Sequence, residues 1–281
     1  LPPLYISDLD GTLLHPNGTL SAYSRDTLNE LIADGLHFSI ATARSVASIR
    51  QLLHGLDLQL PVVNLNGALV SDLQSGHHHA VHALPSEICH KVCDCITETG
   101  HTPFVSTTNG QRDRLYYHRA DSAGMLWFVD DRQRANDRRL QQIGDICRVF
   151  DEQVLTLTVI GHDASIIEEL RQILARECPG ALQTYIFANS YSDLGDVWLT
   201  IADARATKDQ GIRLLAEHCG LSLDELTVFG DNDNDVEMFR MAPHAIAVAN
   251  AIDSVLDVAT ETIGSNSEDS VAQYLQKREI P

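Results

Sequence analysis

Positive charge is in short supply in this 281-residue chain: 20 lysines and arginines against 39 aspartates and glutamates leave a formal net charge of −19. So acidic a surface repels nucleic acid phosphates and anionic lipid heads, so neither polynucleotides nor membranes are expected partners. Cysteine is also scarce. The six present (Cys89, Cys93, Cys95, Cys147, Cys178, Cys219) contain no C-x-x-C pair and no disulfide framework, which excludes a stapled secreted fold and predicts reduced thiols. No apolar run approaches the roughly 18–20 residues of a membrane span. The chain enters a strand-like segment with no charged signal region before it, and a cytoplasmic location is expected. Internal repeats and low-complexity tracts are absent. With 44% hydrophobic and 21% charged residues, the composition is that of a folded protein large enough for one large domain or two modest ones.

The order of elements is βαβαβ. Residues 4–7 form a short apolar run ending in Asp8, and Gly11 and Pro16-Asn17-Gly18 follow as turn signals, so a buried strand and then a hairpin are expected. Residues 21–35 carry Leu28, Leu31 and Ile32 at helical spacing, with Ser21 or Ser24 as cap and Gly35 as stop. Strands are predicted at 36–41 and 62–65 and a helix at 46–53. Alternation of this kind predicts an α/β fold, a doubly wound Rossmann-like parallel sheet that presents ligands at the carboxyl ends of its strands. Asp8, Thr42 and Asn66 stand at those ends.

The texture then changes. A helix at 85–99, strands at 103–107, 114–118, 154–160 and 183–187, and a helix at 164–177 predict an inserted α+β cap domain over residues 83–189. The core is expected to comprise 1–82 and 190–281, resuming with a strand at 197–201, a helix at 207–219 and strands at 226–229 and 246–248.

Asp8-Leu9-Asp10-Gly11-Thr12 places two carboxylates two positions apart at a strand exit, where both can face one pocket while Gly11 turns the chain away. One can attack phosphorus and the other can carry a proton, the division of labour of covalent catalysis. Gly230-Asp231-Asn232-Asp233-Asn234-Asp235 follows another strand and supplies the oxygen ligands that Mg²⁺ prefers. A calcium loop would share the spacing of Asp231, Asp233 and Asp235, but Val236 stands at its glycine position and Ala242 at its terminal glutamate. Charge on a transferring phosphoryl group must be neutralised, and Thr42 offers a hydroxyl and Lys208 an ammonium near a helix start.

Taken in this order, these segments resemble the haloacid dehalogenase superfamily, and within it the Cof-type phosphatases, over nearly the whole chain. Asp8-Leu9-Asp10-Gly11-Thr12, Thr42 within Ile40-Ala41-Thr42-Ala43-Arg44, Lys208, and Gly230-Asp231 with Asn234-Asp235 match its four motifs in order. The resemblance implies a phosphatase for small phosphorylated metabolites working through an aspartyl phosphate. It implies Asp8 as nucleophile and metal ligand, and Asp10 as acid/base and ligand through its carbonyl. It further implies Asp231 as ligand with Asp235 supporting the metal shell, Mg²⁺ as the cofactor, and Thr42, Ala43, Arg44, Asn66, Lys208 and Asn234 around the substrate. Asn66-Gly67-Ala68 and Asn250-Ala251 also resemble family segments near the site. Two departures stand out: Lys208-Asp209 where the family has Lys-Gly, and Thr42-Ala43-Arg44 where it has Thr-Gly-Arg. Asp209 is expected at the surface. A sugar phosphomutase and a silent phospho-aspartate regulator are the rival readings. Either a monomer or a small homo-oligomer is compatible with the sequence.

Other groupings are expected to be structural. His77-His78-His79 is read as an exposed hairpin, Cys89, Cys93 and Cys95 as helix packing, and Asn17-Gly18-Thr19 as a turn.

Overall fold

The computed structural model describes residues 3–188 and 194–279. The chain divides into two compact units, Leu1–Ala80 with Thr207–Pro281, and Val81–Ala206. The elements of the first unit before the division are β1 (Leu4–Ser7), α1 (Ala22–Ala33), β2 (His37–Ile40), α2 (Val46–Leu52), β3 (Val62–Asn64), β4 (Leu69–Ser71) and β5 (His78–Val81). The second unit contains α3 (Ser86–Glu98), β6 (Phe104–Thr108), β7 (Asp113–Tyr117), α4 (Ala123–Arg134), β8 (Leu140–Gln142), β9 (Gln153–Gly161), α5 (Ala164–Glu177), β10 (Leu182–Ala188) and β11 (Val197–Asp203). The first unit then continues with α6 (Lys208–Cys219), β12 (Thr227–Gly230), α7 (Val236–Met241), β13 (His244–Ala247), α8 (Asp253–Leu256), β14 (Glu261–Thr262) and α9 (Ser270–Glu279).

In the first unit, a five-stranded parallel sheet runs in the order β14-β13-β12-β1-β2. A parallel bridge between Ala41 and Val63 joins β3 to its end. The central strands are buried along their length, as a sheet covered on both sides requires. Alternation in β1 distributes its side chains: Tyr5 joins a core with Leu28 and Ile32 of α1, Ile49 of α2 and Leu275 of α9. Leu4 and Ile6 join the opposite core, with Ile212 and Leu215 of α6, Phe239 of α7 and Val255 of α8. The doubly wound α/β architecture is therefore present. Ser21 caps α1 by accepting from Ser24 N at 2.9 Å.

The second unit holds a six-stranded sheet in the order β10-β11-β9-β6-β7-β8, antiparallel except for β7 with β8. Its α3 and α5 cover one face through Val92, Ile96, Ile167 and Leu170. On the other face α4 packs Phe128 and Val129 against Phe104 and Ile160.

One expectation needs correction. The strand expected in the core at 197–201 is β11, which pairs antiparallel with both β9 and β10 and belongs to the second unit. The first architecture resumes at Thr207, and the expected boundary at 189/190 lies outside the described residues. Leu199 and Ile201, with Val197, pack in the α3/α5 core and Trp198 against the α4 core, so β11 is covered on both faces and reads as apolar as a buried parallel strand would.

Candidate active site

Because the sheet is parallel, the carboxyl ends of its strands lie along one edge, and the ladder carries the chain past each end in register. Asp8 N donates to Phe229 O at 2.9 Å, Ala41 N to Ser7 O at 3.0 Å, and Thr42 N to Val63 O at 2.9 Å. The residues just beyond β1, β2, β3 and β12 are therefore brought together although contacts among them span as many as 219 positions.

Asp8 is the centre of the first group. Lys208, the first residue of α6 and only 1% exposed, places Nζ 2.6 Å from Asp8 Oδ1 and 2.6 Å from Asp235 Oδ1. Asp235 is fully buried, and its other oxygen accepts from Asp231 N at 2.9 Å and Asn232 N at 3.0 Å, which locks the loop after β12. Thr12 Oγ1 donates to Asp231 Oδ1 at 2.6 Å. Close approach of the turn after Asp8 depends on Gly11: at φ +81° its backbone passes so near that a Cβ would lie 2.3 Å from Asp231 Oδ2.

Asp8, Asp231 and Asp235 each offer an oxygen, all within 4.8 Å of one another, the one such grouping of ligand side chains among the described residues. Three carboxylates face one ammonium. Burial lifts the Asp8 carboxyl well above the usual carboxylate range, Lys208 opposes the rise, and Asp235, Asp231 and Asp10 add to it. Asp231 is pushed up to about 6, first by burial and then by Asp235, with the Thr12 hydrogen bond pulling the other way. Lys208 is held in its charged form despite burial because Asp235 and Asp8 surround it. The excess negative charge and the all-oxygen donor set fit a hard divalent cation such as Mg²⁺.

A second group links the ends of β2 and β3. Asn66 Oδ1 accepts from Asn234 Nδ2 at 3.0 Å, and Asn66 N donates to Thr42 O at 2.9 Å. Both Leu65 (φ +49°) and Asn66 (φ +54°) adopt left-handed backbone conformations, uncommon for residues other than glycine and concentrated at functional sites. Thr42 is buried, its Oγ1 accepting from Arg44 N at 3.2 Å. The third group is the pair Asp10 and Arg44, joined by two hydrogen bonds. Ala43 is exposed between Thr42 and Arg44. Asp209 is half-buried, and its side chain accepts from Gln210 Nε2 at 3.0 Å.

Two contributors lacked an assigned role in the sequence. Thr12 orients Asp231, as above; Asn250 Nδ2 donates to Gly11 O at 2.8 Å while its Oδ1 accepts from Asn266 N at 2.9 Å, bracing the turn after β1. Thr12 is signalled only as the last residue of the Asp8–Thr12 motif, and Asn250 only by the resemblance of Asn250-Ala251 to a family segment.

The remaining groupings are structural. Asp72 N donates to His77 O at 2.8 Å in the turn between β4 and β5, and His79 stacks on His218 with ring centroids 3.9 Å apart. Cys89, Cys93 and Cys95 pack in the core beneath α3. Asn17 Oδ1 accepts from Thr19 N and Oγ1 at 3.1 and 2.7 Å, closing its turn.

The fold and this centre define an α/β protein with a cluster of aspartates around one lysine at the carboxyl edge of a parallel sheet. Residues 5–275 match the haloacid dehalogenase-like hydrolase family, and the chain belongs to it, as a Cof-type phosphatase, a phosphoric monoester hydrolase. It is 27% identical to the 5-amino-6-(5-phospho-D-ribitylamino)uracil phosphatase YitU of Bacillus subtilis, over 98% of this chain and 97% of that protein. A second phosphatase of that description from the same organism, YwtE, is 25% identical over 96% of each chain. Among solved structures, a haloacid dehalogenase-like hydrolase from Bacteroides thetaiotaomicron shares the fold with a TM-score of 0.80 at 20% identity, covering 99% of this chain and 100% of that one. A subclass IIB sugar phosphatase of the superfamily gives 0.76 at 19% identity over 100% of both chains. No helix among the described residues is long and apolar enough to cross a membrane.

Proposed function

We propose that the protein hydrolyses small phosphorylated metabolites, sugar phosphates or phosphorylated cofactors, through an aspartyl phosphate formed on Asp8 and with Mg²⁺ as cofactor. The observation that carries this reading is the Lys208 ammonium 2.6 Å from Asp8 and from Asp235, with Asp231 alongside. A lysine held charged beside a buried carboxylate neutralises an incoming phosphate without taking the nucleophile's proton-free form away.

In the first half-reaction, an oxygen of Asp8 bonds to phosphorus while the bond to the leaving oxygen breaks, and Asp10 gives that oxygen a proton. In the second, Asp10 removes a proton from water, the water oxygen attacks phosphorus, and inorganic phosphate leaves as the Asp8 carboxylate is restored. Lys208, Thr42 and the Asn66–Asn234 pair orient the phosphoryl oxygens, and Arg44, with the backbone at Ala43, borders the substrate. Asp8, Asp231 and the carbonyl of Asp10 hold the cation, with Asp235 fixing Lys208 and the loop that carries Asp231. A bound Mg²⁺ supplies the positive charge that lets carboxylate and phosphate dianion approach. The second unit acts as a cap that selects the substrate. The relatives named above that act on a phosphorylated ribityl chain, and the sugar phosphatase, support a phosphorylated polyol or sugar as the substrate class.

Phosphate release from p-nitrophenyl phosphate tests this. Turnover is expected with Mg²⁺, lost on chelation and absent in Asp8→Asn. Metal-independent turnover, or an active Asp8→Asn variant, contradicts the proposal. Interconversion of sugar monophosphates without release of phosphate would point to a mutase.

A further inference from the structure

Asp10 sits on the turn after β1 at φ −75°, ψ 120° with its side chain about one-third exposed. Arg44 holds its carboxylate. Its Nε donates to Asp10 Oδ2 at 2.7 Å and its Nη2 to Asp10 Oδ1 at 2.6 Å, the two-point fork that matches a carboxylate in plane as well as position. Arg44 is itself anchored. Nη1 donates to Ser48 Oγ at 3.1 Å in the first turn of α2, Arg44 N donates to Thr42 Oγ1 at 3.2 Å, and Arg44 O accepts from Leu65 N at 3.1 Å. Ser48 is tied in turn to the α2 cap, its N donating to Ser45 Oγ at 3.4 Å. A chain of directed contacts therefore runs from the start of α2 through the guanidinium to Asp10. Three of the five guanidinium N–H groups, one on each nitrogen, are spent on these anchors, so the side chain is held in place by contacts within the protein.

We propose that Arg44 is a positioning residue, whose fork fixes the Asp10 carboxylate in the orientation from which it exchanges a proton with the leaving oxygen. The proposal rests on the phosphatase reading with Asp10 as acid/base. It assigns Arg44 a task distinct from substrate contact, and the two tasks have different kinetic signatures. A proton donor matters most when the leaving group is a poor one, an alkoxide, and little when it is a stabilised phenolate. Loss of positioning should lower kcat selectively for alkyl phosphates, whereas loss of a substrate contact should raise KM for both kinds of ester.

The test compares p-nitrophenyl phosphate with whichever alkyl phosphate the wild-type enzyme turns over best. For Arg44→Ala, kcat on the alkyl ester should fall roughly 10- to 100-fold, with a much smaller loss on the aryl ester and KM nearly unchanged. Arg44→Lys should behave similarly, since a point ammonium cannot replace the fork. Asp10→Asn combined with Arg44→Ala should be no slower than Asp10→Asn alone, because both remove one function. Should Arg44→Ala fail to fold, Ser48→Ala leaves the fork and removes only its anchor, and is expected to give the same selectivity on a smaller scale. A rise in KM on both esters at constant kcat, or losses that multiply in the double variant, overturns the assignment of Arg44 alone. A wild-type enzyme that releases no phosphate from any ester overturns the reading beneath it.

Discussion

Lys208 is the residue on which the energetics of the site turn. It contributes one positive charge to a buried space shared by three carboxylates, and its Nζ touches two of them. Removing one partner from such an arrangement leaves charge in the interior without compensation, and costs more than the pair itself contributes. In Lys208→Met the full-length protein should lose roughly 3–5 kcal/mol at pH 8 in chelator, read from urea unfolding. The loss should shrink toward acid pH. Burial already lifts the Asp8 carboxyl, and without the ammonium it rises further, so lowering the pH protonates Asp8 and removes the charge that has no partner. A loss below about 1 kcal/mol at pH 8 would mean that the carboxylates do not depend on Lys208 for their burial. At this scale the sequence was most informative about charged residues, because motif spacing singles out Asp8, Asp231 and Lys208 directly. Thr12 and Asn250 were less legible: a hydroxyl that orients a carboxylate and an amide that braces a turn depend on contacts 219 and 239 positions away.

The orientation of α6 determines where Lys208 points, and that orientation is set by a glycine contact. Gly67 adopts φ +95°, and a Cβ there would lie 2.1 Å from Thr207 O, immediately before α6 begins. Gly211, one turn into the helix, has room only for hydrogen against Val63 Cγ1 and Gly67 Cα. Gly67→Ala therefore adds backbone strain and a clash with main chain, which cannot swing aside as a side chain can. A destabilisation of roughly 2 kcal/mol or more is expected by thermal or urea unfolding. Turnover should fall as well, since displaced Thr207 carries Lys208 with it. Wild-type stability and turnover in this variant would show that the contact has slack.

Most elements were legible from periodicity, since α1, α3, α5 and α6 pair an apolar stripe with a recognisable start or stop. Two further helices carry the same signal less plainly: α4, with Met125, Phe128 and Val129 after the Ser122 cap, and α9, with Val271, Tyr274 and Leu275. Both are interrupted by polar residues that face outward. The allotment of β11 could not come from its composition alone, because a strand's sheet is decided by long-range pairing, here with β9 some forty residues earlier.

At the scale of the whole molecule, a net charge of −19 means that every added cation is favoured somewhere, so a specific site must be distinguished from general screening. The aspartate cluster gives a way to do so through pH. Asp231 rises in the folded protein to about 6, against an ordinary unfolded value of roughly 4. Between those values the folded state holds more protons than the unfolded one, so stability falls as pH rises through this window. Above about 6 the repulsion is fully present, and a Mg²⁺ bound there would relieve it; below about 4, protons already have. The rise in Tm produced by millimolar Mg²⁺ over an equal ionic strength of sodium should therefore be large at pH 8 and small at pH 4.5. Hydrogen exchange should localise it: slowing is expected in residues 8–14 and 230–236, which carry the cluster and its turns, and not in the α3 and α5 core of the second unit, which contributes no ligand to it. Equal stabilisation at both pH values, or protection spread evenly over both units, would identify screening of the acidic surface as the cause and leave the cluster without a metal.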